Sequence, residues 1–410
     1  MDLRFMILHP NLPSPVTLLP FNFVTYLPLH LSTSSPLHLS ISITFVIPDV
    51  HAFQSGGNIY NKNLIAGLRE NGQVIEVMDL DGFKKLPIAQ LQGHYFFDTL
   101  YFTQLAPVFA KKNKVYSTIN RMESASIPKA IGTSSGSTKP FGIKSNKQVH
   151  FWLIVHHLES LYPPKNWTAL NYFQLKEYPS LVQFDGFLTS SQFTADYLSI
   201  NLLKQSKIVI PPAIDYLPST NFSRKITPIK ALIVANLVER KGILPFLQKL
   251  NASPLVQYPD KIKIQLIGSA VIEKTYAQKC ITFLNKNPTL RKVVSYEGQL
   301  SSVQLHSYYQ ESNLFISTAF METYGMALQE ARAFRLPILA LDGGNVKHHI
   351  IQGSTGYLAK DLNNLVHKLE NFVASPSSLA TLQKYIKENV PIFDTWKQAG
   401  VQLIRQLSPL

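Results

Sequence analysis

The sequence of 410 residues is poor in cysteine and in charged residues. Its single cysteine, Cys280, excludes an intramolecular disulfide and any cysteine-rich metal site. Charged residues make up only 16 % of the chain, whereas hydrophobic residues make up 45 %. This composition excludes a largely disordered protein and supplies enough apolar side chains for large cores. Because a single core rarely extends over a chain of this length, we predict two domains.

Acidic residues are scarce as well. The chain has 39 Lys and Arg against 25 Asp and Glu, a formal net charge of +14. Such an excess attracts anions such as nucleotide phosphates or acidic lipid head groups. Lysines concentrate in the first half of the chain, at Lys111, Lys112, Lys114, Lys139, Lys144 and Lys147. The sequence contains no RNA-binding signature, zinc-finger spacing or base-reading basic helix, so nucleic acid is not an expected partner.

Long apolar runs are also missing. No uninterrupted run approaches the roughly 20 residues that cross a bilayer, and the N-terminus lacks the features of a signal peptide. Residues 1–40 carry only Asp2 and Arg4 as charged groups and contain six prolines. We interpret this segment as a flexible Pro/Leu/Ser-rich extension, with a membrane-contacting arm as the alternative. With the single cysteine, these features predict a cytoplasmic protein, with a peripheral position at the inner membrane face as the alternative.

Residues 320–344 are the most informative segment. The apolar run before them, at 314–317, predicts a buried strand, and the spacing over 326–334 predicts a helix. The loop between them lies at the carboxyl end of a parallel strand, where α/β sheets bind ligands and a helix N-terminus favours an anion. Gly325 lets the backbone approach such a ligand closely. Glu322 in the loop and Glu330 in the helix add two acceptor groups beside one phosphate site, which suits a sugar nucleotide.

Two further strand ends carry candidate residues. A strand over 41–47 leads through Gly56 and Gly57 to a helix beginning near Ile59, an arrangement that favours phosphate. A strand over 151–155 ends in His156 and His157. A metal is not expected there, because consecutive strand residues point to opposite faces and no carboxylate or cysteine ligands accompany them.

The second half of the chain repeats the alternation of strands and helices. A strand over 229–234 and a helix over 243–250 flank a basic loop that contains Arg240 and Lys241. Further strands are predicted over 262–268, 293–298 and 336–341, which favours a second parallel sheet with right-handed crossovers. The prolines of 208–215 suit a hinge between domains.

These motifs together resemble the family 4 glycosyltransferases, which are retaining, sugar-nucleotide-dependent enzymes. The family signature is a Glu, seven residues and a second Glu, which here are Glu322 and Glu330, with Gly325 and Pro337 in register. The resemblance covers about residues 41–410 and implies the GT-B fold, an α/β fold with two Rossmann-like domains facing across a cleft. The implied parts are an acceptor-side domain at 41–215, a nucleotide-sugar-binding domain at 216–390 and a C-terminal helix at 391–410 that crosses back to the first domain.

The resemblance also implies roles for single residues. His156, with His157 as the alternative, contacts the transferred sugar, Glu322 holds the sugar hydroxyls, and Lys241 neutralises the diphosphate. Contacts to the donor nucleotide are implied for Gly56, Gly57, Tyr324, Gly325, Met326 and Glu330. The family has an arginine where this chain has Asn236. Either Arg240 supplies that charge from a shifted position, or the enzyme is weakened.

The expected function follows from these roles. The chain is expected to be a metal-independent hexosyltransferase that moves a sugar, with retention, from a nucleoside diphosphate sugar to a hydroxyl of a glycan, lipid or small molecule. Cell-envelope or polysaccharide biosynthesis is the expected setting, and no cofactor beyond the donor substrate is expected. Expected partners are donor and acceptor, with peripheral contact to an anionic membrane as an addition. Two alternatives stay open: a non-catalytic sugar-nucleotide-binding or scaffold protein, and a GT-B sugar-nucleotide epimerase.

Overall fold

A computed structural model of the protein describes residues 41–49, 55–113, 149–214 and 225–408. The predicted extension at 1–40 lies outside the described residues, and so do Lys114, Lys139, Lys144 and Lys147. The described residues belong to one compact unit. Among the described residues, no helix is both long and apolar enough to cross a membrane.

The first lobe is built on a six-stranded sheet in which all neighbouring strands are parallel. Strand β4 shows why it forms, since its sequence VHFWLIV is an almost continuous apolar run suited to a sheet covered on both faces. The strand order is β2-β1-β3-β4-β5-β6. The strands are β1 Ile43–Val46, β2 Ile75–Met78, β3 Gly93–Asp98, β4 Val149–Val155, β5 Gly186–Thr189 and β6 Ser206–Val209.

Helices of the first lobe follow the strands. The first is capped by Ser55, whose side chain accepts a hydrogen bond from the N–H of Asn58. Gly56 and Gly57 are therefore the first helical residues, and the predicted start near Ile59 is wrong by three residues. The helices are α1 Gly56–Glu70, α2 Leu80–Lys85, α3 at 106–113, α4 Ala169–Tyr172, α5 Tyr178–Leu181 and α6 Gln192–Asn201.

The second lobe repeats this architecture with a second six-stranded parallel sheet. Its order is β12-β11-β10-β7-β8-β9, with β7 Ile229–Val234, β8 Ile262–Ile267, β9 Val294–Gly298, β10 Leu314–Ser317, β11 Ile338–Leu341 and β12 Gly356–Ala359. Its helices are α7 Ile243–Asn251, α8 Lys274–Lys286, α9 Pro288–Arg291, α10 Ser302–Glu311, α11 Met326–Ala333, α12 Leu362–Ala374 and α13 Pro376–Glu388. Two parallel sheets covered by helices confirm the predicted fold class.

The last helix, α14 at Trp396–Leu407, packs on the first lobe although it follows the second along the chain. Its apolar residues Trp396, Leu403 and Ile404 join the core formed by β1 and α1. Helix α1 approaches it so closely that a Cβ at Gly67 would lie 2.0 Å from the carbonyl oxygen of Trp396. The two lobes are thus joined both by the chain between the sheets and by the return of α14.

Candidate functional site

The loops after β7 and β10 meet at the carboxyl edge of the second sheet. The N–H of Phe320 donates to the carbonyl of Arg240 at 2.9 Å, and the Thr318 hydroxyl donates to the carbonyl of Lys241 at 2.6 Å. Gly242 has φ +66°, and a Cβ there would lie 2.3 Å from the Thr318 carbonyl oxygen. Only glycine fits this approach without displacing the backbone. The Lys241-Gly242 pair therefore fixes the basic loop against the loop that carries Glu322.

Two cations and one carboxylate converge at this point. The ammonium of Lys241 pairs with Oε1 of Glu322, while Nη1 of Arg240 lies 3.8 Å from Oε2 and donates to the Met321 carbonyl at 3.2 Å. Burial acts to raise the pKa of Glu322, but Lys241 and Arg240 outweigh it and hold the pKa below its usual value. Burial lowers the pKa of Lys241 and the charge of Glu322 opposes this. The cluster carries one more positive than negative charge, which suits a phosphate group.

Asn236, at the position of the family arginine, does not join this cluster. Its side-chain oxygen accepts a hydrogen bond from the N–H of Ser269 at 3.0 Å, which ties the loop after β7 to the loop after β8. Arg240 does reach the cluster, as described above. The described structure therefore has a guanidinium beside Lys241, supplied from a position four residues further along the chain.

The start of α11 lies opposite the start of α1. Gly325, with φ +92°, is the N-cap of α11. Because glycine has no side chain, this residue offers no side-chain acceptor to the N–H groups in the first turn of the helix. A Cβ at Gly56 would lie 3.5 Å from Sδ of Met326. Gly56, Gly325 and Met326, all predicted to contact the donor, are thus brought together from both lobes.

Tyr324 has a half-buried ring that packs edge-on against His349, with ring centroids 5.0 Å apart. Burial raises the pKa of its phenol above the usual value. Its backbone carbonyl accepts from Nδ2 of Asn345 at 3.0 Å and lies 2.6 Å from Nε2 of His349. These contacts anchor the loop before α11 to the segment after β11.

Glu330 lies apart from the Glu322 cluster. Its Oε2 accepts a hydrogen bond from the Tyr309 hydroxyl at 2.7 Å, and burial raises the pKa of its carboxyl. The two glutamates of the signature thus have opposite electrostatic settings. Glu322 is held as a carboxylate by two cations, whereas the environment of Glu330 favours the neutral acid.

His156 stands at the end of β4, on the first-lobe side. Its Nε2 lies 3.0 Å from Oδ1 of Asn61 and 3.5 Å from Oδ2 of Asp98. A Cβ at Gly57 would lie 2.7 Å from the ring carbon Cδ2, so glycine at 57 makes room for the imidazole. Asn61 and Asp98 were not predicted, because they lie 95 and 58 residues from His156 and only the position of Asp98 at the end of an apolar strand gave a signal.

His157 faces the cation cluster instead. Burial, followed by the charges of Arg240 and Lys241, lowers its pKa to about 3, so its imidazole is neutral at neutral pH. Within the described residues, its buried Nδ1 has no hydrogen-bond partner. The side chain of His156 therefore contacts polar groups of the first lobe, whereas that of His157 lies close to the charged residues of the second lobe.

The two lobes touch through polar groups at the site. The hydroxyl of Thr323 donates to the carbonyl of His156 at 2.7 Å, and the hydroxyl of Ser191 donates to the carbonyl of Thr323 at 2.5 Å. The side chain of Gln329 donates to the Pro212 carbonyl at 2.6 Å. The candidate residues of both lobes are thus held within one closed cleft.

One expectation about the basic surface is corrected. Lys112 is buried and forms an ion pair with Asp185 at 2.8 Å, and Lys111 donates to the backbone carbonyls of Phe83 and Lys84. These two lysines stabilise the first lobe. A cluster of lysines in the sequence does not show whether their charges reach the surface.

Comparison with known proteins finds a family match within the second lobe. Residues 220–389 match the model of the family described as glycosyl transferases group 1. The capsular polysaccharide biosynthesis glycosyltransferase CapM of Staphylococcus aureus is 22 % identical over 151 residues, which are 36 % of this chain and 38 % of that protein. Trehalose synthase of Pyrococcus horikoshii is 23 % identical over 213 residues, 48 % of this chain and 51 % of that protein. The matches therefore span about half or less of these relatives' length.

Solved structures resemble nearly the whole chain. Sucrose-phosphate synthase from Thermosynechococcus elongatus has a TM-score of 0.63 at 16 % identity, over 89 % of this chain and 99 % of that one. Anabaena HepE in complex with UDP and glucose has a TM-score of 0.59 at 14 % identity, over 90 % and 100 % of the two chains. At such low identity these likenesses concern the fold. The described chain therefore has the GT-B fold, and its residues 220–389 match the glycosyl transferases group 1.

Proposed function

We propose that this protein is a glycosyltransferase that transfers a hexosyl group, with retention and without a metal ion, from a nucleoside diphosphate sugar to a hydroxyl acceptor. The observation that carries the proposal is the convergence of Lys241, Arg240 and Glu322 at the strand edge, opposite His156. It supplies positive charge for a diphosphate and acceptors for sugar hydroxyls in one closed cleft. The family match over 220–389 supports the same reaction class.

The chemistry assigned to the cluster follows from its charges. Within the cluster, Glu322 partly neutralises Lys241 and Arg240. A diphosphate carries more negative charge than one carboxylate and takes over these cations, which leaves the Glu322 oxygens for the hydroxyls of the attached sugar. As the glycosidic bond breaks, negative charge grows on the departing phosphate, and the same cations stabilise it where water is excluded. The N–H groups at the start of α11 add to this stabilisation.

A uridine diphosphate sugar is the proposed donor class. Solved structures that resemble this chain contain UDP, including HepE with UDP and glucose and the pneumococcal O-GlcNAc transferase GtfA with UDP and GlcNAc. We propose a glycan, lipid or small-molecule hydroxyl as the acceptor and cell-envelope polysaccharide synthesis as the setting, in line with the resemblance to CapM. A cytoplasmic location, with peripheral contact to an anionic membrane, belongs to the same proposal.

A donor panel tests the proposal. The protein is incubated with nucleoside diphosphate sugars, with EDTA and with or without glycan and lipid acceptors, and release of nucleoside diphosphate is measured. Acceptor-dependent release in EDTA supports metal-independent transfer, and a product whose NMR coupling shows the donor's anomeric configuration supports retention. Inversion at the anomeric carbon contradicts the proposed stereochemistry without contradicting transfer.

The same panel separates the two alternatives. Binding of a nucleotide sugar without any release of diphosphate identifies a non-catalytic binding protein, for which the absence of the family arginine at Asn236 is the supporting observation. An epimerised free sugar nucleotide identifies an epimerase. Lys241→Ala is the matched control, since loss of release in this variant ties the activity to the cluster.

A further inference from the structure

Two buried polar side chains, Asn61 and Asp98, lie behind the His156 imidazole and form a hydrogen-bonded chain with it. Asp98 ends β3 with its side chain fully buried, and Asn61 lies on α1 with no exposed surface. The Asn61 amide donates from Nδ2 to Oδ2 of Asp98 at 2.6 Å, and its Oδ1 lies 3.0 Å from Nε2 of His156. Three different elements, β3, α1 and β4, contribute one member each.

The hydrogen bonds that Asp98 accepts determine which groups donate and which accept between Asp98, Asn61 and His156. Its Oδ1 accepts the N–H of Leu100 at 2.8 Å, and its Oδ2 accepts from Asn61. Since a carboxylate only accepts, the nitrogen of the Asn61 amide must point to Asp98 and the oxygen to His156. That oxygen also only accepts, so the proton of the neutral imidazole must sit on Nε2.

The opposite ring nitrogen is then available to a ligand. Gly57 lies against the Cδ2 edge of the ring, and Tyr60 meets the ring edge-on at a centroid distance of 5.6 Å. No hydrogen bond reaches Nδ1 from the described residues, and the side chain keeps 15 % of its surface exposed. In this tautomer Nδ1 is an acceptor, which suits a hydroxyl donor.

We propose that Asp98 and Asn61 are positioning residues that hold the His156 imidazole with its proton on Nε2, so that Nδ1 accepts a hydrogen bond from a hydroxyl of the transferred sugar. This inference rests on the proposed function for the identity of the ligand. The tautomer itself depends only on the side chains of this protein. Buried charge behind the ring has a further effect: the Asp98 carboxylate stabilises positive charge that develops on the sugar ring during bond breaking.

The supporting electrostatics agree with an ionised Asp98. Burial acts to raise its pKa, but His156 and the hydrogen bonds from Leu100 and Asn61 outweigh burial and hold the pKa below its usual value. Asp98 is therefore a carboxylate at neutral pH, as its role as an acceptor from the Asn61 amide requires.

Kinetics of two variants test the functional part. Asn61→Ala removes the acceptor for Nε2–H, and Asp98→Asn removes the charge at nearly constant volume. Each should lower kcat by about ten- to a hundredfold, while the donor KM changes less than threefold, because the contact strengthens in the transition state. Thr44→Val is the matched control. It removes a buried hydroxyl from β1, which neighbours β3. Thr44 takes no part in the hydrogen bonds between Asp98, Asn61 and His156, so kcat and KM should stay unchanged.

A spectroscopic measurement tests the tautomer without any substrate. In full-length protein labelled with 15N-histidine, the long-range 15N–1H spectrum reports which ring nitrogen carries a proton, and His156→Gln identifies the signal. We expect a proton on Nε2 and a bare Nδ1 at neutral pH, and loss of this preference only when both nearby acceptors are removed, in Asn61→Ala combined with Asp98→Ala. A wild-type proton on Nδ1, or unchanged kcat in both variants, overturns the proposal. A wild-type protein that transfers no sugar from any donor contradicts the proposed function, while the spectrum still decides the tautomer.

Discussion

Lys241 and Glu322 are the most consequential pair of residues, because both lose most of their contact with water, with side chains 16 % and 12 % exposed. Removing one partner of such a pair leaves the other charge buried and unpaired, which costs more than a surface ion pair contributes. Arg240 stays more exposed, at 31 %, and reaches the cluster from its edge. The three side chains therefore respond differently to substitution.

Truncation of the two cations gives the first prediction. Lys241→Ala and Arg240→Ala should each lower kcat/KM by about ten- to a hundredfold, since charge-assisted contacts to phosphate are lost. Asn236→Arg should restore part of the Arg240→Ala loss. Lys230→Ala is the control: Lys230 pairs with Glu311 at 3.6 Å on the surface, so its removal should leave kcat/KM unchanged. Wild-type kcat/KM in Arg240→Ala would show that this guanidinium does not serve the diphosphate.

Glu330 gives a prediction for stability against pH. Burial raises the pKa of its carboxyl, so the folded protein binds this proton more tightly than the unfolded chain does. Stability from this group is present at low pH and is lost as pH rises through the folded-state pKa. Glu330→Gln, which can still accept from Tyr309, should therefore gain stability over wild type as pH rises from 4 to 8. Urea unfolding across this range measures the difference.

The control for this experiment is Glu311→Gln, because Glu311 is 66 % exposed and pairs only with surface Lys230 among the described ion pairs. Its stability difference from wild type should stay small at every pH. A Glu330→Gln difference as flat as that of the control would contradict a raised pKa at Glu330.

Among the secondary-structure elements, α14 shows most clearly how a distant segment completes a lobe. It begins at Trp396, capped by Thr395 with a capping box, and packs its apolar face onto α1. Gly67 and Gly400 allow this approach: a Cβ at Gly400 would lie 2.9 Å from the carbonyl carbon of Gly67. The contact places a segment from the end of the chain directly beside the helix that begins with Gly56.

Gly67→Ala gives the prediction for this element. Inside a helix such a change usually stabilises a protein by about 0.5–1 kcal/mol. Here the new Cβ would meet the Trp396 carbonyl at 2.0 Å, so α14 must move and the unfolding free energy should fall by about 1–3 kcal/mol. Lys62→Ala, at an exposed position of the same helix, should change stability by less than about 0.5 kcal/mol. A stabilised Gly67→Ala protein would show that the two helices are not packed as described.

For the molecule as a whole, direct hydrogen bonds between described residues of the two lobes hold the cleft closed. Thr323 is the centre of two of them, and Tyr162 of the first lobe stacks on Phe320 of the second with centroids 6.1 Å apart. A single hydrogen bond contributes about 1 kcal/mol, so each is enough to shift an equilibrium between open and closed lobes without fixing it. Such a balance permits donor entry and product release.

Thr323→Val tests this balance. The change keeps the shape of the side chain but removes the donor to the His156 carbonyl, so the open population should rise about fivefold. Distances between spin labels on the two lobes measure that population in the absence of donor. Thr323→Ser retains the hydroxyl and should behave as wild type. Equal distance distributions for the Val and Ser variants would exclude a role of this bond in closure.

Local patterns predicted the fold well where an element is buried or amphipathic. The bounds of β7, β10 and α7 agree with the prediction to within one residue because apolar runs and helical spacing define them. Strands β2, β3 and β12 were not predicted. β2 and β12 lie at sheet edges and bury only part of their residues, which weakens their apolar pattern, whereas β3 lies inside the first sheet and its buried run at 95–98 was overlooked. The start of α1 was misplaced because glycines usually signal a turn, whereas the Ser55 cap begins the helix before them.

The sequence by itself determined the class of the protein: alternating strands and helices, a basic Lys-Gly loop, and two glutamates in a strand-loop-helix segment. These are local features, which the order of residues encodes directly. Tertiary structure alone decided that Arg240 reaches Glu322, that Glu330 pairs with Tyr309, and that the lysine at 112 is buried. It also decided the bond between His156 and Asn61, since strand order, not sequence spacing, determines which strand ends become neighbours.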